Sequence, residues 1–87
     1  MANFEYWASE VTDIVEQKLG MKNVTTELYE DHAIWTSRAN RGVARPDNDG
    51  KTVAVIFDHG RGHSYSLSDG PAGAGAEIVG RLLGLGG

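Results

Sequence analysis

The chain has 87 residues, no cysteine, and 12 acidic against eight basic residues, which gives a formal net charge of −4. This length predicts one domain over residues 1–87. The lack of cysteine excludes disulfides and thiolate metal sites, on which small secreted domains commonly depend. No apolar run approaches the roughly 18 residues of a membrane span, and the N-terminus lacks the basic start of a signal peptide. These features predict an intracellular, cytoplasmic protein.

The first predicted element is an amphipathic helix that begins after Asn3 and ends at Gly20. Asn3 is suited to cap the first turn, because its side-chain oxygen accepts an unpaired backbone N–H. Glu10, Asp13 and Glu16 fall outside the apolar stripe of this helix, so we expect them in solvent. The stripe follows the i, i+3, i+4, i+7 spacing of one helix face and consists of Phe4, Trp7, Ala8, Val11, Ile14, Val15 and Leu19.

Four strands are predicted after this helix, over residues 24–31, 33–39, 51–57 and 64–68. These segments contain β-branched and aromatic residues that suit a pleated, half-buried surface. The first two are separated by a short turn and are expected to form a hairpin. Residues 40–50 are predicted to be a polar loop, because they are dense in the residues that favour turns.

A second helix is predicted to start near Ser68 or Asp69, with Pro71 in its first turn, where a missing N–H costs nothing. The element order is therefore α-β-β-β-β-α. It predicts a small α+β domain, with an antiparallel four-stranded meander and both helices packed on one face. This arrangement hides both apolar stripes and leaves the other sheet face partly solvated.

The segment from Asp58 to His63 joins the last two predicted strands and holds His59 and Arg61 beside two glycines. Imidazole titrates near neutral pH and binds metals, so the segment is a candidate acid–base or metal cluster. A zinc site needs about three or four ligands, and further ones would have to come from the turn near His32. A hairpin turn, with glycines for positive φ, explains the same residues more simply. We therefore predict no metal site and interpret the segment as contact surface.

A Gly-rich run, residues 70–76, opens the second helix and resembles an anion site, since a helix N-terminus exposes unpaired N–H groups. Neither the phosphate loop with its lysine nor the dinucleotide fingerprint is present. Asp69 would also repel an anion and fits a capping role better. The sequence also offers no serine positioned beside a catalytic base, because Ser64 and His63 are strand neighbours whose side chains point to opposite faces. We therefore predict no enzyme, no catalytic residue and no cofactor.

Three arginines between residues 38 and 45 make the middle of the chain locally basic. Guanidinium groups bind phosphate or carboxylate, although a solvated loop that balances the acidic helix explains these residues more simply. Phe4, Trp7 and Phe57 fit the core, but a core of this size is not expected to hold all of Tyr6, Tyr29, Trp35 and Tyr65 as well. On a solvated sheet face they would form a protein-binding patch, and otherwise they cover the edges of the core.

The leading hypothesis is a small non-catalytic regulator or inhibitor that binds another protein, as phage and mobile-element accessory or anti-defence proteins do. Its acidic surface would occupy a basic site on a nucleic-acid-handling complex, through charge steering and burial of a patch. The predicted partner-binding residues are Glu10, Asp13, Glu16, Tyr29, Trp35, Arg38, Arg41, Arg45, His59, Arg61, His63 and Tyr65.

Two other hypotheses stay open. One is a nucleic-acid-binding module that uses Arg38, Arg41, Arg45 and Arg61, although an acidic chain disfavours direct binding to phosphates. The helix–strands–helix order resembles double-stranded RNA-binding domains in topology alone, since the basic cluster at the start of their last helix is missing here. The other is a small metal- or anion-dependent enzyme. An open sheet face or edge strand would also permit a homodimer, and no membrane partner is expected.

Overall fold

The computed structural model describes residues 3–85. The elements follow in the order α1 (Phe4–Leu19), β1 (Thr25–Leu28), β2 (Ala33–Thr36), β3 (Arg41–Pro46), β4 (Thr52–Phe57), β5 (His63–Ser66) and α2 (Pro71–Leu82), with a short 3-10 helix at Leu67–Asp69 before α2. All neighbouring strands are antiparallel, in the spatial order β1-β2-β3-β4-β5. The predicted α+β class and antiparallel meander are confirmed, with five strands instead of four.

Both helices cover the same face of the sheet, which we call the inner face. Strand residues on this face alternate with residues on the opposite, outer face, as expected when a sheet buries one side. Asn3 caps α1 as predicted, since its Oδ1 accepts the Tyr6 N–H at 2.8 Å. The core combines Trp7, Val11 and Val15 of α1 with Trp35, Ala44, Val53, Val55 and Phe57 of the sheet and Ile78 and Leu82 of α2.

Trp35 anchors α1 to the sheet from the centre of the core. Its side chain is fully buried, and its ring lies 6.4 Å from the ring of Trp7. The indole N–H donates to Thr12 Oγ1 at 2.8 Å, in a part of α1 that is itself buried. Leaving such a donor unpaired would cost about 1–3 kcal/mol. The hydrogen bond therefore fixes where α1 lies above β2.

The predicted loop at residues 40–50 is wrong in its first half, which forms β3. Gly42 and Ala44 face the inner side, while Arg41, Val43 and Arg45 face outward. A Cβ at Gly42 would lie 2.9 Å from Phe57 Cε1, so only the smallest residue fits beneath that ring. The strand alternates small and charged residues instead of large apolar and polar ones, which explains why its pattern resembles a loop.

The turn after β3 is held by one carboxylate. Asp49 Oδ1 accepts the backbone N–H groups of Lys51 at 2.8 Å and of Thr52 at 3.1 Å. These hydrogen bonds, that of Lys51 first, lower the pKa of the Asp49 carboxyl below its ordinary value. The Thr52 hydroxyl also donates to Asp47 Oδ2 at 2.8 Å. The turn residues recognised in the sequence thus close the β3–β4 hairpin.

The two helices meet where α2 has no side chain. Gly75 is buried against Ile14 of α1, and a Cβ built on it would lie 2.7 Å from Cδ1, 3.1 Å from Cγ2 and 3.2 Å from Cβ of Ile14. The last two atoms are close to the α1 backbone and cannot swing away. At Gly80, also within α2, a Cβ would have no neighbouring atom within 4 Å, so the lack of a side chain there serves no packing purpose.

Gly75→Ala is expected to destabilise the fold by about 1–2 kcal/mol, because overpacking of the α1–α2 contact outweighs the gain in helix propensity. Gly80→Ala makes the same chemical change in open space and is expected to stabilise by about 0.5–1 kcal/mol. Urea unfolding of both variants measures the difference. Effects of the same sign would contradict this description of the helix contact.

Asp49→Ala is expected to lower stability at neutral pH and to lose this effect in acid. Because the folded-state pKa of Asp49 is depressed, its contribution is present above the unfolded-state value of about 3.9 and disappears as the pH falls through the folded-state value. Urea unfolding at neutral pH and in strong acid tests this, with Asp58→Ala as the control at an exposed carboxylate. A difference from the wild type that persists in acid would contradict the assignment.

Candidate functional site

An open groove on the helix-covered side of the domain lies between α1 and β1. It has a volume of about 510 Å³ and is lined by Glu5, Ala8, Ser9, Leu28, Tyr29 and Glu30. Leu28 and Tyr29 are apolar or aromatic side chains that remain 48% and 49% exposed. Because β1 is the first strand of the meander, its outer edge has no neighbouring strand among the described residues. The groove therefore combines an apolar floor with a free strand edge.

Two acidic residues, Glu5 and Glu30, line this groove, and others lie along the same two elements. We define the acidic flank as Glu5, Asp13 and Glu16 of α1, Glu27 of β1, and Glu30 and Asp31 of the turn that follows β1. Glu16 Oε2 accepts the Thr26 hydroxyl at 3.2 Å, which joins the helix part of the flank to the strand part. Residues 3–17 and 23–37 contain no lysine or arginine. The flank is thus predominantly negative along α1 and β1, while Asp31 at its end is hydrogen-bonded to His32 and lies within electrostatic reach of Arg45 of β3.

Only part of the predicted acidic set lies in the flank. Asp13 is exposed and Glu16 is partly exposed on the side of α1 that approaches β1. Glu10 lies one turn before Ile14, which contacts Gly75 of α2, so Glu10 belongs to the opposite side of the helix. The apolar stripe of α1 predicts that Glu10, Asp13 and Glu16 face solvent, but it does not show which of them lie near β1 and which near α2.

The predicted contact residue Tyr29 is held in place at the end of β1. Its hydroxyl donates to Glu27 Oε1 at 2.8 Å, and its ring stacks on His32 with centroids 4.4 Å apart. The hydrogen bond to Glu27 and the negative charge there raise the pKa of the Tyr29 hydroxyl. In the same turn a hydrogen bond from His32 lowers the pKa of Asp31. This wall of the groove is therefore pre-ordered by its own side chains.

The outer sheet face is aliphatic and basic, and it does not form the aromatic protein-binding patch that the sequence suggested. A row of aliphatic side chains, Ile34, Val43 and Ile56, crosses three strands, and Ile56 is 67% exposed. Arg41 and Arg45 lie on the same face of β3. No outward-facing residue of the five described strands is aromatic. Arg38 and Arg61 lie in the two loops at one end of the sheet.

Trp35 and Tyr65 face the inner side of the sheet. Trp35 is 0% exposed and cannot contact a partner of the folded domain, so its prediction as a contact residue is wrong. Tyr65 is half-buried, with its ring 6.1 Å from Trp7, and burial raises the pKa of its hydroxyl. Space for Trp35 is provided by Gly42 of β3, since a Cβ built there would lie 3.6 Å from Trp35 Cε3.

Arg81 of α2 packs against the strand ends that border the β4–β5 loop, while residues 58–62 of the loop are exposed. Arg81 of α2 contacts His63 through Nη2 and Nε2 at 2.5 Å, and its guanidinium lies 5.9 Å from the Phe57 ring centroid. Because arginine can only donate hydrogen bonds, His63 Nε2 is the acceptor, and this nitrogen is already engaged by Arg81. His59 and Arg61 remain exposed. Within residues 3–85, no three His, Cys, Asp or Glu residues are grouped so that they would hold a metal ion.

Asn40 ties this end of the molecule together, and sequence reasoning missed it. Its Nδ2 donates to the carbonyl oxygens of His59 at 2.8 Å and Arg81 at 3.2 Å. Its Oδ1 accepts the backbone N–H groups of Arg41 and His59, each at 2.9 Å. Asn40 is 7% exposed, although nothing in its polar sequence neighbourhood signals burial. The residue joins two loops and the end of α2 through one amide.

Asn40→Ala is expected to destabilise the fold by about 3 kcal/mol, because it leaves several buried backbone groups without partners. Urea unfolding measures the loss, and hydrogen exchange of the His59 amide is expected to accelerate. Asn48→Ala makes the same change at an exposed turn residue and is the matched control. Equal effects at the two positions would contradict the role given to Asn40.

Comparisons with known proteins identify no relative. No protein-family model, no curated protein and no solved structure matches this chain. Neither helix in the described part of the chain is long and apolar enough to cross a membrane. The function is therefore inferred from the surfaces described above, among which the groove and its acidic flank combine shape, exposed apolar area and charge.

Proposed function

We propose that this protein is a small non-catalytic regulator or inhibitor that acts inside the cell by binding a basic surface of another protein. The observation that carries the proposal is the position of the acidic flank around an apolar groove. A surface of one charge sign steers an oppositely charged partner, while exposed apolar side chains supply the area that is buried on contact. The lack of cysteine supports the intracellular assignment.

The groove supports specificity as well as attraction. Interface centres are enriched in tyrosine, and their charged residues lie mainly at the rim. Leu28 and Tyr29 supply the exposed apolar and aromatic surface of the groove, and Glu5 and Glu30 are its charged lining residues. The stacking of Tyr29 on His32 reduces the side-chain entropy that binding would otherwise cost. Proteins that handle nucleic acid present the basic surfaces that such a flank would cover.

Direct binding of nucleic acid is the alternative, and its support is the common face of Arg41 and Arg45 on β3. Single strands are held by aromatic stacking as well as by charge, and none of the outward residues of β2, β3 and β4 is aromatic. The acidic flank would also repel a polyanion that approaches from the β1 side. The protein-binding proposal therefore has the stronger support.

Reversal of three flank charges, Glu5→Lys, Asp13→Lys and Glu30→Lys, is expected to reduce the association rate with the captured partner at least about tenfold at low salt. It is also expected to flatten the dependence of that rate on salt, because steering is a screened Coulomb effect. The partner is captured from a lysate of the source cells, identified by mass spectrometry and purified for kinetic measurement on an immobilised chain.

The matched control applies the same charge change outside the flank, as Asp58→Lys, Asp69→Lys and Glu77→Lys. We expect this variant to keep its association rate within about threefold. The three residues do not line the groove and lie in the β4–β5 loop, the 3-10 helix and α2. Equal losses in both variants would assign the effect to net charge, and unchanged rates in both would refute the proposal. Circular dichroism of each variant confirms that it folds.

A further inference from the structure

We propose that the free edge of β1 binds an extended segment of the partner as a sixth strand, and that this segment alternates basic and apolar residues. The inference rests on the proposed function, because it names the conformation and chemistry of what the acidic flank captures. Addition of a strand to an exposed sheet edge is a recurring mode of peptide recognition, in which backbone hydrogen bonds supply affinity and side-chain pockets supply specificity.

The backbone groups that such a strand needs are those of Thr26 and Leu28. The Tyr29 N–H donates to the His32 carbonyl at 2.9 Å, which makes this pair hydrogen-bonded across the β1–β2 hairpin. Hydrogen-bonded and non-hydrogen-bonded pairs alternate along an antiparallel ladder. The N–H and C=O groups of Thr26 and Leu28 therefore point away from β2, toward the free edge.

The two edges of the sheet are not equivalent. Beside β5, the first turns of α2 leave a smaller space of about 200 Å³, lined by polar and small residues such as Ser64, Ser66 and Glu77. Beside β1, the groove is about 510 Å³, and Leu28 contributes an exposed apolar side chain on the inner side. A strand added at β1 therefore has both backbone partners and an apolar surface beneath it.

The side chains of an added strand would alternate between two environments. Those on the inner side would lie over Leu28 and Ala8 in the groove, which favours apolar residues. Those on the outer side would lie beside Glu27, with Glu30 and Asp31 at the adjoining turn, which favours basic residues. Opposite charges in neighbouring cross-strand positions stabilise such pairing.

A second copy of this chain fits the same edge poorly. Antiparallel pairing of two β1 edges would bring Glu27, Glu30 and Asp31 of both copies into one surface, and β1 itself supplies no basic residue to offset them. Like charges directly opposite each other destabilise strand pairs, and charged edges are a common protection against self-association. The acidic flank therefore disfavours pairing with a second copy of this chain and favours a basic segment.

The test uses a capped octapeptide of alternating lysine and valine as the probe, titrated into the isotope-labelled full chain and followed by NMR. We expect binding with a dissociation constant below about 1 mM, and slower hydrogen exchange of the Thr26 and Leu28 amides when the peptide is present. An octapeptide of alternating glutamate and valine, which has the same strand propensity pattern and the opposite charge, is expected not to bind.

Thr26→Pro and Thr26→Val form the matched pair of variants. Both remove the hydroxyl that donates to Glu16, but only proline removes the edge N–H, at a position where an edge strand tolerates it. We expect Thr26→Pro to bind the lysine–valine peptide about tenfold more weakly than Thr26→Val. Ser64→Pro at the β5 edge is expected to bind like the wild type.

Three results would overturn the inference. Equal binding by Thr26→Pro and Thr26→Val, with no added amide protection in the wild type, would mean that the peptide lies on the flank through charge alone; the proposed function would then survive and strand addition would not. No binding of the lysine–valine peptide at about 1 mM would also overturn it. Protection of Thr26 and Leu28 that rises with protein concentration without peptide would assign the edge to a second copy.

Discussion

The burial of Trp35 beneath α1 is the constraint on which the rest of the structure depends. Its indole fills the centre of the core and donates to Thr12, so α1 is fixed above β2 and cannot slide toward the sheet edge. α1 still reaches Thr26 of β1 through Glu16, but it does not cover the last residue of the strand, so Leu28 is half exposed beside the groove. The candidate site is thus a geometric result of how a large side chain is accommodated elsewhere.

The same packing explains the small residues of β3 and α2. Trp35 and Phe57 lie on the two strands that flank β3, directly opposite Gly42, and a Cβ at Gly42 would lie 2.9 Å from the Phe57 ring. Gly75 similarly lets α2 approach Ile14 of α1. These glycines contribute nothing apolar to the sequence pattern, yet they determine how closely the layers approach. Close packing of this kind makes a small core sufficient for an 87-residue chain.

The fold class, both helices and most of the sheet could be predicted because their signals are local. The cap at Asn3, the stripe of α1 and the β-branched run of β4 all act within a few residues. β3 could not be predicted, because its inner residues are small to suit distant neighbours. The burial of Asn40 and Trp35 depends on loops and helices far along the chain. For the site, the sequence singled out Asp13, Glu16 and Tyr29 but not the other flank residues, Glu5, Glu27, Glu30 and Asp31. Their grouping around the β1 edge required the order of the strands.

The uneven distribution of charge along the chain places acidic residues around the exposed edge of β1. Residues 1–37 hold seven acidic residues and two lysines, whereas residues 38–87 hold six basic and five acidic residues. Since α1 and β1 both come from the first part, the unprotected strand edge lies in the acidic region. An exposed edge next to apolar side chains ordinarily invites aggregation, and like charge on every copy opposes it. Under the proposed function, that same charge would attract a basic segment, so protection against self-association and selection of the partner would both follow from one distribution of residues.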